Sequence, residues 1–251
     1  MKKRLIAFDL DNTLAESKTP LTDAMLMRFG ELLELYEVCV ISGGKYEQFR
    51  IQIIDRLEVS PEILGKLHLM PTCGTRYYRY NKHTHEWEKR DAEDLSDDQK
   101  KKIIEVLEVS AKALGYWEQS PAGEIIEDRE SQITYSALGQ KALPEAKYAW
   151  DPDGAKKKAI RDYAADRLPE LEVRVGGTTS IDVTRIGIDK AYGMRKLMAE
   201  LNITEDEILF IGDMLQEGGN DYPVKAMGID CVEVENYRAT PAVVDAIIKV
   251  S

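Results

Sequence analysis

A chain of 251 residues with 45 Asp and Glu against 34 Lys and Arg, formal net charge -11, lacks the basic balance that a nucleic-acid backbone or an anionic bilayer asks of a partner. That length buries a large core and suggests one α/β core domain carrying a sizeable insertion, or two domains. Cys39, Cys73 and Cys231 are odd in number and lack metal-site spacing, which predicts a reducing, cytoplasmic setting. The apolar run after Met1-Lys2-Lys3-Arg4 breaks at Asp9, too early for a signal peptide, and no other stretch is apolar enough to span a bilayer.

Residues 4–14 read as a short buried parallel strand that delivers its last side chains to a crevice. In extended chain, side chains two apart share a side, so Asp9 and Asp11 are expected to face the same space. Two close carboxylates repel, and phosphoryl transfer offers a use for the pair: Asp9 attacks phosphorus while Asp11 carries the proton. The plain alternative is a turn closed by an Asx cap.

Residues 21–36 carry helical spacing behind Thr22 or Asp23, and residues 37–42 form a second buried strand. It ends in Ser42-Gly43-Gly44-Lys45, where glycines let backbone approach a ligand and the next helix points its positive end. Residues 67–87 predict a hairpin leading out of the core, with His83 and His85 solvated in its turn. A charged helix follows near Ser96, and residues 123–128 and 132–138 alternate like antiparallel strands. Asp151-Pro152-Asp153-Gly154 reads as a helix entry rather than a calcium loop, because Pro152 and Lys156-Lys157-Lys158 spoil the latter; the helix runs to about Leu168. Residues 171–177 and 180–183 return as strands. The α+β insertion is thus expected over residues 84–184, within a core of 1–83 and 185–251.

The core resumes with a helix opening near Lys190. Residues 207–213 repeat the device of a buried strand with Asp213 at its tip, and Gly218-Gly219-Asn220-Asp221 adds oxygen ligands. A last strand over 228–234 and a helix over 240–250 close the chain. A parallel sheet would gather Asp9, Asp11, Ser42 and Asp213 at its strand tips. Magnesium suits such hard oxygens, and the expected ligands are Asp9, Asp11, Asp213, Asn220 and Asp221. Lys190 and Ser42 would meet the phosphoryl oxygens.

Asp9-Leu10-Asp11-Asn12-Thr13, Ser42-Gly43, Lys190, and Gly212-Asp213 with Gly219-Asn220-Asp221 resemble the four motifs of the haloacid dehalogenase superfamily of phosphotransferases. The resemblance implies a Rossmann-like parallel-sheet core with an inserted α+β cap, and an aspartyl phosphate on Asp9. The family usually has Gly where Asn12 stands; Asn also tolerates unusual backbone angles. Further on, Glu127-Asp128-Arg129, residues 132–139 and Gly176-Gly177-Thr178-Thr179-Ser180-Ile181-Asp182-Val183 resemble the cap of eukaryotic-type α-phosphomannomutases. That implies Arg129 gripping a distal phosphate, Ser180 and Asp182 contacting the sugar, and a homodimer through the cap.

Two positions depart from that family. Gly139-Gln140 replaces its Gly-Arg, and Lys147 stands near the next phosphate-binding arginine. Losing a bidentate fork weakens the grip on a bisphosphorylated sugar, while Gln140 suits a neutral one. The expectation is therefore a magnesium-dependent hexose-phosphate phosphatase with Gly43 and Gly44 in its phosphate turn; the alternative is a phosphomannomutase interconverting mannose 6-phosphate and mannose 1-phosphate. A non-catalytic sugar-phosphate sensor would not need Asp11, and a receiver-like module would be about half this length.

Overall fold

The apolar run ahead of Asp9 forms strand β1 (Leu5–Phe8), buried at every position. Successive side chains point to opposite faces, so Ile6 and Phe8 join one hydrophobic core while Leu5 and Ala7 join another. Strand β1 is therefore the middle layer of a three-layer core. Leu5, Ile6 and Phe8 each contribute about 1.5–3 kcal/mol on burial.

The computed structural model describes residues 2–251. After β1 come α1 (Asp23–Leu35), β2 (Glu37–Ile41), α2 (Tyr46–Gln52), α3 (Pro61–Leu64), β3 (Leu67–Met70), β4 (Arg76–Asn81) and β5 (Glu86–Ala92). There follow α4 (Asp97–Ala113), β6 (Ile126–Asp128), β7 (Ile133–Ser136), α5 (Pro144–Trp150), α6 (Ala155–Ala165), β8 (Leu171–Val175) and β9 (Ser180–Arg185). The chain ends with α7 (Lys190–Leu201), β10 (Ile208–Gly212), α8 (Tyr222–Ala226), β11 (Asp230–Glu233) and α9 (Thr240–Lys249).

The first unit, reaching Ala92 and resuming at Asp189, holds a seven-stranded sheet ordered β11-β10-β1-β2-β3-β4-β5. Pairing is parallel from β11 to β3 and antiparallel beyond. Met25, Phe29, Leu32 and Leu33 of α1 and Val244 of α9 cover one face; Met194 and Leu197 of α7 and Val224 of α8 cover the other. Thr22 caps α1, its hydroxyl accepting from Met25 N–H at 3.2 Å. No helix among the described residues is long and apolar enough to cross a membrane.

The second unit, Glu93–Ile188, has a four-stranded antiparallel sheet ordered β6-β7-β9-β8. Ile103, Leu107 and Ala111 of α4 and Ile160 and Ala164 of α6 pack with Ile133, Tyr135, Ile181 and Val183 of the sheet. By alternation, Thr134, Ser136, Ser180 and Asp182 occupy the opposite face. Asp151 accepts from the N–H groups of Lys156 and Lys157, both at 3.0 Å, so this stretch does open a helix.

Two expectations need correction. Residues 67–70 do not begin a hairpin leading out of the core: β3 pairs in parallel with β2, and the β4–β5 hairpin extends the same sheet. The insertion therefore starts at Glu93 and ends at Ile188, where 84 and 184 were expected. His83 and His85 are exposed in the hairpin turn.

Candidate active site

Asp9 follows β1 directly. Its N–H still donates to the Ile211 carbonyl at 3.0 Å, so pairing with β10 runs one residue past the strand and fixes Asp9 at the tip. Alternation sends its side chain to the side that Leu5 and Ala7 share with α7, and Lys190 is the first residue of that helix. The buried Lys190 ammonium donates to Asp9 Oδ1 and, at 2.6 Å, to Asp221 Oδ1. The second Asp221 oxygen accepts from Met214 N–H at 3.0 Å. Only glycine at 212 permits this, because a Cβ there would lie 2.5 Å from Asp221 Oδ2. Asp213 accepts from the Thr13 hydroxyl at 3.2 Å.

Carboxylate oxygens of Asp9, Asp213 and Asp221 lie within 4.8 Å of one another. Burial pushes Asp9 above the usual carboxylate range; Lys190 opposes the rise, and Asp221 and Asp213 add to it. Asp213 is raised by burial and by Asp221. Burial works against the Lys190 charge, but Asp221 and Asp9 outweigh it and hold the ammonium protonated. Three carboxylates around one ammonium leave an excess of negative charge on hard oxygens. The donor set suits a divalent, oxygen-seeking cation.

Ser42 ends β2, and its hydroxyl accepts from Gly44 N–H at 3.1 Å. Cys73 N–H donates to the Ser42 carbonyl at 2.9 Å and Thr72 N–H to the Gly44 carbonyl at 3.0 Å, bracing the Ser42-Gly43-Gly44 turn from the neighbouring strand tip. Thr72, Cys73 and Gly74 have φ of 48, 56 and 85°, a left-handed run that costs on the order of 1–3 kcal/mol at each non-glycine position. Nothing in the apolar pattern of residues 67–71 announced this brace.

Asp11 stands apart from the carboxylate group. The chain leaves extended form after Asp9: Leu14 and Ala15 donate back to the Leu10 carbonyl, and Asn12 takes φ 64°, a left-handed angle that asparagine tolerates. The Asp11 carboxylate is turned to Lys18 N–H and Gln48 Nε2, both at 2.8 Å, so the expected ligand set loses its side chain here. Asn220 is exposed in its turn, whereas Asp221 is fully buried.

In the second unit Arg129 pairs with Glu127, Nε to Oε2 at 2.7 Å, and both side chains are buried. Asp182 accepts from the Thr134 hydroxyl at 2.7 Å, and Thr134 accepts from Gln132 Nε2 at 2.9 Å. Ser180 stands opposite Ser136 in the β7–β9 register. Lys147 Nζ lies 3.4 Å from the Gln140 carbonyl.

The haloacid dehalogenase-like hydrolase family model matches residues 6–223. The chain belongs to this family. As a haloacid dehalogenase-like hydrolase it is an enzyme, and its mixed α/β fold with a parallel sheet is the family's. It is 26% identical over 240 residues to a phosphomannomutase of Encephalitozoon cuniculi, covering 89% of this chain and 84% of that one. A spinach (Spinacia oleracea) phosphomannomutase is 29% identical over 245 residues, covering 90% and 88%. Among solved structures, an N-terminally truncated, IMP-bound IMP-nucleotidase of Plasmodium falciparum superposes with TM-score 0.70 at 16% identity, over 99% of this chain and 68% of that one. A haloacid dehalogenase-like hydrolase of Bacteroides thetaiotaomicron gives TM-score 0.60 at 16% identity over the whole of both chains. The latter two are likenesses of fold.

Sequence reasoning missed three contributors of this haloacid dehalogenase-like hydrolase. Gln48 and Gln52 lie one helical turn apart on α2, a spacing that puts both on one face. Thr134 shares the Asp182 face of its sheet, which the alternation of residues 133–136 foretold once the strand was recognised.

Proposed function

We propose that this enzyme transfers the phosphoryl group of a hexose phosphate through an aspartyl phosphate on Asp9, and that phosphomannomutase chemistry is the best-supported form of it. The observation that carries the transfer is Asp9 itself: buried, at a strand tip, and held by Lys190 inside a carboxylate cluster. The mutase form, second in the sequence argument, moves ahead because relatives named phosphomannomutase align over 84% to 88% of their own lengths.

Asp9, Asp213 and Asp221 would hold magnesium, which when bound supplies positive charge to the phosphoryl oxygens. An Asp9 oxygen attacks phosphorus in line; the Asp9–phosphorus bond forms as the bond to the sugar oxygen breaks, and Asp11 protonates that oxygen. Lys190 orients Asp9 and offsets its charge, while the Ser42 hydroxyl and the Gly43-Gly44 turn receive phosphoryl oxygens. Asp11 then takes the proton from the acceptor that attacks the aspartyl phosphate: water in a phosphatase, and in a mutase the free hydroxyl of a hexose monophosphate, which thereby becomes a bisphosphate, reorients and returns its other phosphoryl group to Asp9. The second unit acts as the cap. Arg129 and Lys147 hold the distal phosphate there, and Ser180 and Asp182 the sugar hydroxyls.

Gln140 favours the phosphatase as a second reading, since an amide stands where a bisphosphate would want a guanidinium. A magnesium-dependent assay on mannose and glucose phosphates, with and without a hexose 1,6-bisphosphate, decides between them. The mutase predicts activator-dependent isomer with little free phosphate. Rapid phosphate release without isomer would overturn it in favour of the phosphatase.

A further inference from the structure

The Asp11 carboxylate accepts three hydrogen bonds: Lys18 N–H to Oδ1 and Gln48 Nε2 to Oδ2, both at 2.8 Å, and Gln52 Nε2 to Oδ1 at 3.4 Å. Gln52 Nε2 also donates to the Thr19 carbonyl at 2.9 Å. Both glutamines come from α2, the helix that starts right after the Ser42-Gly43-Gly44 turn.

Two observations indicate that these amides are aimed. Gln52 is fully buried and its Oε1 has no hydrogen-bond partner. Flipping the amide would set that oxygen against the Thr19 carbonyl, which only accepts; the orientation is fixed, and the orphaned carbonyl costs on the order of 1–3 kcal/mol. A buried orphan of this kind calls for an explanation, and the hold on Asp11 and its loop supplies one. The second observation concerns Gly44: a Cβ there would lie 2.4 Å from Gln48 Oε1, so the Gln48 amide rests directly on the turn.

We propose that Gln48, backed by Gln52, is a positioning residue that sets the direction of the Asp11 carboxylate and keeps it in register with the phosphate turn. The proposal rests on the proton-carrying role given to Asp11 above. No resemblance named Gln48, whose contact with Asp11 emerges only from the fold.

The test compares wild type, Gln48→Met and Gln48→Lys on mannose 1-phosphate with magnesium and a hexose 1,6-bisphosphate, reading phosphate plus isomer, beside thermal unfolding. Gln48→Met, similar in volume but without a donor, should lower kcat about tenfold to a hundredfold, the scale on which misplaced groups act, with KM little changed. Gln48→Lys restores a donor of similar reach and should recover most of the loss. In an Asp11→Asn background, Gln48→Met should do nothing more, because its effect runs through Asp11. Wild-type kcat in Gln48→Met, an equal further loss in the Asp11→Asn background, or a loss that follows Tm and is not recovered by Gln48→Lys would overturn the positioning. Wild type inert on every hexose phosphate, or Asp9→Asn with wild-type turnover, would overturn the phosphoryl-transfer reading and this proposal with it; an inactive Asp9→Asn beside an unaffected Gln48→Met overturns the positioning alone.

Discussion

At the strand tips of the core, two of three clustered carboxylates share one ammonium, whereas on the polar face of the inserted sheet Gln132, Thr134 and Asp182 pass hydrogen bonds from one to the next and Arg129 meets Glu127. Both regions bury polar groups. The first gathers three carboxylates beside a single cation, and burial, with Asp221 adding to it, drives Asp9 and Asp213 toward protonation. The second is nearly closed, apart from the buried Ser136 hydroxyl, which has no partner.

Breaking the open site should cost most. Lys190→Met leaves Asp9 and Asp221 buried without their shared cation, and removing one member of a buried ion pair typically costs about 3–5 kcal/mol. Urea unfolding of the metal-free protein should show this loss, and turnover should vanish with it. An unfolding free energy equal to wild type would mean that the carboxylates simply take up protons and that Lys190 does not hold them.

Magnesium should act in the opposite direction. At a hundred times its dissociation constant a ligand specific to the folded state adds about 2.7 kcal/mol. Because Asp9 and Asp213 are raised, their protons compete with the ion, so the gain in Tm should grow as pH rises from 6 to 8. A shift independent of pH would place the ion elsewhere. Asp213→Asn should reduce the shift, whereas Asp182→Asn in the inserted sheet should leave it alone.

Much of the open site was legible in the sequence, for a physical reason. A short buried strand ending in Asp is visible at residues 5–9 and again at 208–213, and parallel pairing of β1 with β10 does the rest. Lys190 could be placed because Asp189 caps the helix it opens, accepting from Tyr192 N–H at 2.8 Å. What tertiary packing decides was not legible: that Asp221 returns to Lys190 from the far end of its turn, or that Asp11 leaves the strand direction at Asn12. The parallel pairing of strand β3 was not legible, because Leu67-His68-Leu69-Met70 is only four residues long and joins the sheet through β2, a partner invisible to periodicity. Helix α5 carries no buried residue, so no apolar stripe marks it.

His68 shows that a closed network is not confined to the inserted sheet. The fully buried ring lies 2.9 Å from Glu37 Oε2 through Nε2 and 2.8 Å from the Tyr77 hydroxyl through Nδ1. In the neutral ring Nε2–H donates to the carboxylate and Nδ1 accepts from the tyrosine. Burial lowers the His68 pKa from its ordinary 6.5, although the Glu37 bond opposes this. The unfolded chain therefore binds this proton at higher pH than the folded one, and stability falls as pH drops below 6.5, by at most about 1.4 kcal/mol per pH unit until the folded ring titrates. Urea midpoints at pH 7 and 5.5, compared with those of His68→Gln, isolate the effect; an equal fall in both would assign it to other groups.

The smallest effect belongs to the inserted sheet and tests the comparison most finely. Thr134→Val keeps the shape of the side chain and removes only the hydroxyl that links Gln132 to Asp182. A hydrogen bond that ends on a half-exposed carboxylate is worth about 1.5 kcal/mol, the low end for bonds to charged groups and well below the loss at Lys190. Asp182 would lose one of the bonds that set its direction, so if this face sorts sugar hydroxyls, KM for a hexose phosphate should rise while kcat stays near wild type. Were Thr134→Val instead to lower kcat at constant KM, the chain from Gln132 to Asp182 would act in the transition state, and the inserted sheet would share the chemistry now assigned to the strand tips.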